Sequence, residues 1–452
     1  MADAVSFPLT DILGKAEMVF ILFIGAALSS FYKKKKSPGL IFFTFASICC
    51  FFGILPSKIL MHSLVNTVTF SLLCLYLVVI AALQTGCVQS ILDFLFKTCR
   101  GNSLKFYLFL TALASFFPSK RIQKEMISFL RKKDLSSEIP FHFLFPILFV
   151  LASSLTLMGS VTNLVSDHIC GEILVGKHFG FFAYGPVAFS LFFVCFLFFF
   201  YAVKKQTKTM FEKSLAAPLP SRKEGSIMER YALSPSAVLS ESGKYTEEVE
   251  TRLRKQESTP KRVKIGTIII FCLLLSLTLV GVPLIITSPV SVCLLFFLGA
   301  FDKKEQVSKL PWDIFLLVVA SFIFCHAMIE THLHLFIAGK LQFLHSQIGV
   351  ITFFLFSAGL LSLFIPCSMV VSFLLPIAVT FGRMYEPSFM QLLIAAVTLG
   401  SFFLFPKKSI ISFQKKTSLS EEQILLLKIQ CMWIGVVYLV FVAHAFLISV
   451  IA

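Results

Sequence analysis

The chain has 452 residues, 57% of them hydrophobic, and 40 basic against 24 acidic residues give a formal charge of +16. So apolar a composition excludes an ordinary soluble domain. The basic residues gather at the ends of apolar runs rather than across one face, which excludes a nucleic-acid-binding role. The 12 cysteines are scattered, mostly inside those runs, with no Cys-x-x-Cys pair, and read as small apolar packing residues.

Apolar runs fall near 17–32, 38–57, 66–84, 141–158, 181–203, 265–282, 284–301, 312–330, 388–405 and 429–452. Most match the roughly 20 helical residues needed to cross a hydrocarbon core. Two further runs, 104–117 and 347–365, each lead into a proline and then a second helical piece. They are predicted to be limbs of re-entrant hairpins. Acidic residues precede the first run and no small-residue cleavage site follows, so no removable signal peptide is expected. The predicted fold class is an all-α polytopic membrane protein of two inverted repeats, each with a re-entrant helical hairpin and an interrupted transmembrane helix.

Basic clusters at Lys33 to Lys36, Lys120 to Lys133, Lys204 to Lys264 and Lys407 to Lys416 all fall on one side when the chain is threaded through these spans. The positive-inside pattern makes that side the cytoplasm. The polar stretch 204–264 is too long for an ordinary loop and separates a repeat at 1–203 from one at 265–452. The hairpin prolines, Pro118 and Pro366, lie 366 − 118 = 248 residues apart, and Ser153 and Ser401 have the same separation. Asn66 and Phe315, near the starts of two further spans, are 315 − 66 = 249 apart. Near-constant spacing indicates a duplication. The first hairpin opens from the cytoplasm and the second from outside, so the halves run in opposite senses. Inverted repeats with broken helices are the plan of an alternating-access transporter.

The stretch Leu151 to Val165 reads LASSLTLMGSVTNLV. It puts Ser153, Ser154, Thr156, Ser160, Thr162 and Asn163 at membrane depth, where bare hydroxyls and amides need protein, a cavity or a ligand. Gly159 among them weakens the helix and lets the chain turn at Met158–Ser160. Backbone carbonyls, hydroxyls and an amide oxygen are hard ligands suited to sodium. The ion site is expected from Thr156, Gly159, Ser160, Thr162 and Asn163, with Thr156 on its inner wall. The helix that follows would aim free amides at an anion. The plainer reading of these hydroxyls is bonding to neighbouring helices.

With these residues quoted, the chain resembles the divalent anion:sodium symporter family of dicarboxylate and citrate carriers, within the ion transporter superfamily. LTLMGSVTNLV is similar to that superfamily's TLxGSxANLI signature. Phe179 to Pro186, Pro311-Trp312-Asp313-Ile314, Met369 to Ile377 and Ser401 to Pro406 resemble further family stretches. The family places a Ser-Asn-Thr motif at each hairpin tip to bind a substrate carboxylate and build a sodium site. Here the tips read Pro118, Ser119, Lys120 and Pro366, Cys367, Ser368. The resemblance therefore implies Ser119, Cys367 and Ser368 as substrate contacts. It also implies a homodimer with a scaffold and a moving transport part, sodium as the coupling ion, and no other cofactor or metal. Lys120 and Arg121 at the first tip either substitute for a sodium ion or belong to a solvated loop.

His326, Glu330 and His334 share one helical face. That spacing reads as the end of a span at the interface, with a metal pair or proton relay as the alternative. No phosphate loop and no catalytic constellation are present, so an enzyme is not expected. The resulting expectation is a secondary transporter of a small anion, a di- or tricarboxylate or inorganic oxyanion, in the inner membrane and in contact with lipid. A sodium/proton or oxyanion antiporter and a degenerate non-transporting relative remain as alternatives.

Overall fold

A computed structural model describes residues 14–32, 37–99, 103–116, 152–174, 187–194, 260–301, 310–344, 346–403 and 435–447, with isolated positions between some of these stretches. The predicted linker 204–264 lies outside them except for 260–264. Every regular element among the described residues is helical.

The first half contains α1 (Lys15–Tyr32), α2 (Pro38–Phe51), α3 (Ser57–Leu64), α4 (Thr67–Gln84), α5 (Cys87–Thr98), α6 (Ser103–Ala114) and α7 (Val161–Ile173). The second contains α8 (Lys261–Leu279), α9 (Leu284–Phe297), α10 (Trp312–Glu330), α11 (Leu333–Lys340), α12 (Gln347–Phe364), α13 (Cys367–Gly382) and α14 (Pro387–Phe403), followed by α15 (Gly435–Leu447). Among the described residues, five helical stretches are long and apolar enough to cross a membrane: Lys15–Tyr32, Ser57–Gln84, Lys261–Leu279, Trp312–Glu330 and Gln347–Phe364. The protein is an all-α, multi-pass membrane protein.

Local chemistry sets where these helices start. Asn66 caps α4 by accepting the Thr69 amide at 2.6 Å, and Ser346 caps α12 by accepting the Gly349 amide at 2.9 Å. Pro260, Pro283, Pro311 and Pro366 stand immediately before α8, α9, α10 and α13. A proline there has no amide to satisfy and cannot continue a preceding helix. At the second hairpin α12 ends at Phe364, Ile365 is extended (φ −123°, ψ 158°), and α13 begins after Pro366. One helix ends and the next begins where the sequence places the tip. The first hairpin is partly described. Ile122, Met126 and Phe129 are buried, and the Phe129 ring lies 6.1 Å from that of Phe106 on α6.

Burial divides the helices into two kinds. In α13, 14 of 16 residues are buried, and α7, α10 and α14 pack around it. Helices α1 and α8 instead show apolar residues outward: Phe20, Ile21, Ile24 and Leu28 on α1, and Ile265, Ile269 and Leu273 on α8. In water such stripes would drive aggregation, whereas in a bilayer they meet lipid.

Two contacts fix relative direction. Ser37 Oγ donates to Asp313 Oδ1, and the Gly39 amide donates to the same oxygen at 2.6 Å. One carboxylate at the start of α10 therefore also serves the start of α2, so the two helices run parallel. At Gly39 an added Cβ would fall 2.0 Å from the Asp313 carbonyl oxygen, so only glycine allows this approach. Replacing Asp313 by alanine strands the Gly39 amide and should cost about 1–3 kcal/mol. The expected result is a thermal midpoint lowered by several degrees in detergent. The second contact is Arg383, just past α13, whose Nη2 donates to the Ile173 carbonyl at the end of α7 at 2.9 Å. The C-termini of α7 and α13 meet, so these helices are parallel too and their N-termini point the same way.

Candidate functional site

The stretch 154–160 is not helical, and α7 starts only after Ser160. Its residues are held by one another and by the end of α6. Thr156 Oγ1 donates to the Ser115 carbonyl and accepts the Gly159 amide at 3.0 Å. Ser160 is the N-cap of α7, with extended backbone (φ −138°, ψ 132°) and its Oγ accepting the Thr162 amide at 3.2 Å. Asn163 reaches back with Nδ2 to the carbonyls of Ser154 at 3.2 Å and Thr156 at 2.9 Å. The break is thus a built loop inside the protein rather than a frayed helix end.

Gly159 is needed for a different reason from the turn expected at Met158–Ser160. Its backbone is not in the left-handed region. Instead a Cβ there would lie 2.2 Å from both the Ser115 and the Ser153 carbonyl oxygens. Two carbonyls, one from the α6 end and one from the chain before the break, converge on the bare face of this residue.

Asn163 is fully buried. A carbonyl only accepts, so the end of the amide that meets two carbonyls must be the NH₂. That leaves Oδ1 buried with no hydrogen-bond partner among the described residues. An amide oxygen stranded in this way is costly unless a cation or donor reaches it. Together with backbone carbonyls, it offers neutral, hard oxygen to an alkali cation.

Across the parallel pair, α13 begins with Cys367 and Ser368, both buried. Cys367 Sγ donates to the Ser401 carbonyl on α14 at 3.0 Å. Ser368 Oγ is buried with no partner among the described residues. Two helix N-termini, of α7 and α13, therefore face the same way side by side, each with an unpaired side-chain oxygen in its first turn. Helix starts carry unsatisfied amides and a partial positive charge, the complement of an anion.

A chain of hydroxyls ties α7 to α14. Thr398 Oγ1 donates to the Ile394 carbonyl at 2.8 Å, so it accepts from Ser166 Oγ at 2.9 Å. Tyr184 OH then donates to Ser166 Oγ at 2.7 Å. All three residues are buried.

The structure gathers Thr156, Gly159, Ser160, Thr162 and Asn163 in one break and puts Cys367 and Ser368 at the start of the neighbouring α13. Ser119, Lys120 and Arg121 lie outside the described residues. From the first hairpin it is the Ser115 carbonyl that touches the break. Sequence reasoning passed over Ser115, Ser166, Tyr184 and Thr398. A carbonyl leaves no trace in a residue string, and the hydroxyl chain joins segments far apart in sequence. The expected face of His326, Glu330 and His334 does not act as a unit. The imidazole of His326 faces Glu172 of α7, and His334 Nδ1 is bonded to the Met328 carbonyl at 3.0 Å.

Membrane-spanning helices, a buried non-helical break ahead of α7 and paired helix starts define the class: a multi-pass helical membrane transport protein. The chain matches the model of the citrate transporter family, CitMHS, over residues 18–400, and it belongs to that family, within the ion transporter superfamily. No curated protein matches the chain.

Proposed function

We propose that this protein is a secondary active transporter that moves a di- or tricarboxylate, citrate foremost, together with sodium by alternating access. It sits in the inner membrane with its basic clusters in the cytoplasm, and works as a homodimer, as the family resemblance implies. The carrying observation is the buried Asn163 amide of the break, whose oxygen has no hydrogen-bond partner among the described residues. In this reading sodium occupies that neutral oxygen site. Thr156 braces its wall, and Ser160 and Thr162 form its rim. The anion lies where the starts of α7 and α13 face the same space, with Ser368, Cys367 and Ser119 as its side-chain contacts. Neutral donors and helix dipoles hold a carboxylate without burying a competing counter-charge.

The halves support an alternating mechanism. In this reading helices α1, α2, α4, α5 and α6 correspond to α8, α9, α10, α11 and α12, which follow in the same order, with α3 unmatched. The packing is reciprocal: α2 lies on α10, and α9 lies on α4. Exchange of partners between two related units is what an inverted repeat would produce.

Uptake of labelled citrate, succinate, sulfate and phosphate into proteoliposomes, with and without a sodium gradient, tests this reading. Carboxylate uptake that follows the sodium gradient supports it. Sulfate or phosphate movement alone would replace the substrate class. Sodium-dependent collapse of a pH gradient with no anion movement would make the protein an antiporter.

A further inference from the structure

A second cluster sits at the other end of α7. Glu172 lies three turns beyond the break, about 13 Å along the helix from Asn163. Its Oε2 is 3.3 Å from His326 Nε2 on α10, and its Oε1 is 3.2 Å from His168 Nε2. His62 of α3 completes the group: one ligand atom each from His62, Glu172 and His326 fall within 4.8 Å of one another.

Proton bookkeeping at His326 says what the cluster lacks. Its Nδ1 is 2.8 Å from the Phe322 carbonyl, which can only accept, so Nδ1 carries the hydrogen. In the neutral ring Nε2 is then a bare lone pair, and it points at a carboxylate oxygen. Two acceptors face each other, and a cation belongs between them. A shared proton would serve that pair but would leave His62 without a role. A metal ion uses all three groups.

We propose that His62, Glu172 and His326 form a binding site for a divalent transition metal of the zinc class. Two imidazoles and one carboxylate suit zinc, whereas magnesium and calcium prefer oxygen alone. Ligands of a tetrahedral zinc lie roughly 3.4 Å apart, given bonds of about 2.0–2.2 Å. The separation of His326 and Glu172, 3.3 Å, already meets this. The exposed His62 ring closes the third side by a shift of roughly 1 Å, and its exposure leaves the fourth position open to water. His168 Nε2 stands 3.2 Å from the far carboxylate oxygen, which leaves Oε2 turned toward His326.

The site joins three helices. Because α2 and α10 start together, His326 near the end of α10 lies at the membrane face opposite the α1–α2 connection. With the Lys33 to Lys36 run inside, that face is the outer one, open to metal in the surrounding medium.

Full-length protein in detergent, titrated with zinc against a chromophoric chelator and separately with cobalt(II), tests the proposal without any transport measurement. One equivalent of zinc should bind, and cobalt should give the strong visible bands of a four-coordinate site. Glu172→Gln and His326→Ala should each weaken zinc binding at least tenfold. His62→Ala removes an exposed side chain, so it should fold like the parent while losing zinc affinity and the zinc-dependent rise in melting temperature. No zinc binding by the parent would overturn the proposal and leave the cluster a proton-sharing pair. Undiminished binding by His62→Ala, or zinc readily displaced by equal magnesium, would also overturn it. Loss of citrate transport bears on the proposed transport function alone, not on this metal site.

Discussion

Gly159→Ala should abolish transport while the remaining helices still insert. The new methyl would lie 2.2 Å from the Ser115 and Ser153 carbonyl oxygens, and both belong to backbone rather than to a yielding side chain. Either the α6 end moves off the break or the break unwinds further. Overpacking of this kind costs about 1–3 kcal/mol or more. The Thr156 bond to Ser115 would be lost with it. The measurement is citrate uptake normalised to folded protein, with monodispersity in detergent as the check on folding. The expected uptake is below a tenth of the parent rate. Gly159→Ala with near-parental uptake would mean that the close approach is not needed.

Asn163→Ala should raise the sodium concentration for half-maximal uptake by roughly tenfold to a hundredfold, on the basis of about 1–3 kcal/mol for one lost polar contact in a buried site. The variant removes the unpaired Oδ1 and also the two donors that close the break onto Ser154 and Thr156. The two losses separate experimentally. Loss of the oxygen raises the sodium concentration needed for half-maximal uptake. Loss of the donors loosens the loop and lowers the maximal uptake reached at saturating sodium. An active variant with unchanged sodium dependence would remove Asn163 from the ion site.

The break was legible in the sequence because hydroxyls, an amide and a glycine crowd one stretch that is otherwise apolar, and hydrocarbon penalises that composition. The second hairpin was legible because Pro366 cannot continue α12. What periodicity reports, however, is which residues share a helix face. It offered His326 the partners Glu330 and His334 on its own chain segment, while the imidazole turned across to Glu172 of α7. Nothing in the residue string brings His62, Glu172 and His326 together, since their meeting depends on how α3, α7 and α10 pack. The same limit applies to Asp313. Its motif was visible, but its service to the start of α2, through Ser37 and the Gly39 amide, needed the tertiary structure. The role of Gly159 was half legible. Its presence marked the break, but its cause is the absence of a Cβ between two carbonyls rather than freedom of φ.

Concentrative uptake of labelled citrate into proteoliposomes, driven only by an inward sodium gradient, tests the central claim most directly. The account predicts accumulation above the external concentration. It also predicts that accumulation collapses when choline replaces sodium, and that the Asn163→Ala protein needs far more sodium to reach it. Equal citrate entry with sodium or choline, by parent and variant alike, would contradict the claim that the broken helix holds the ion that drives the anion.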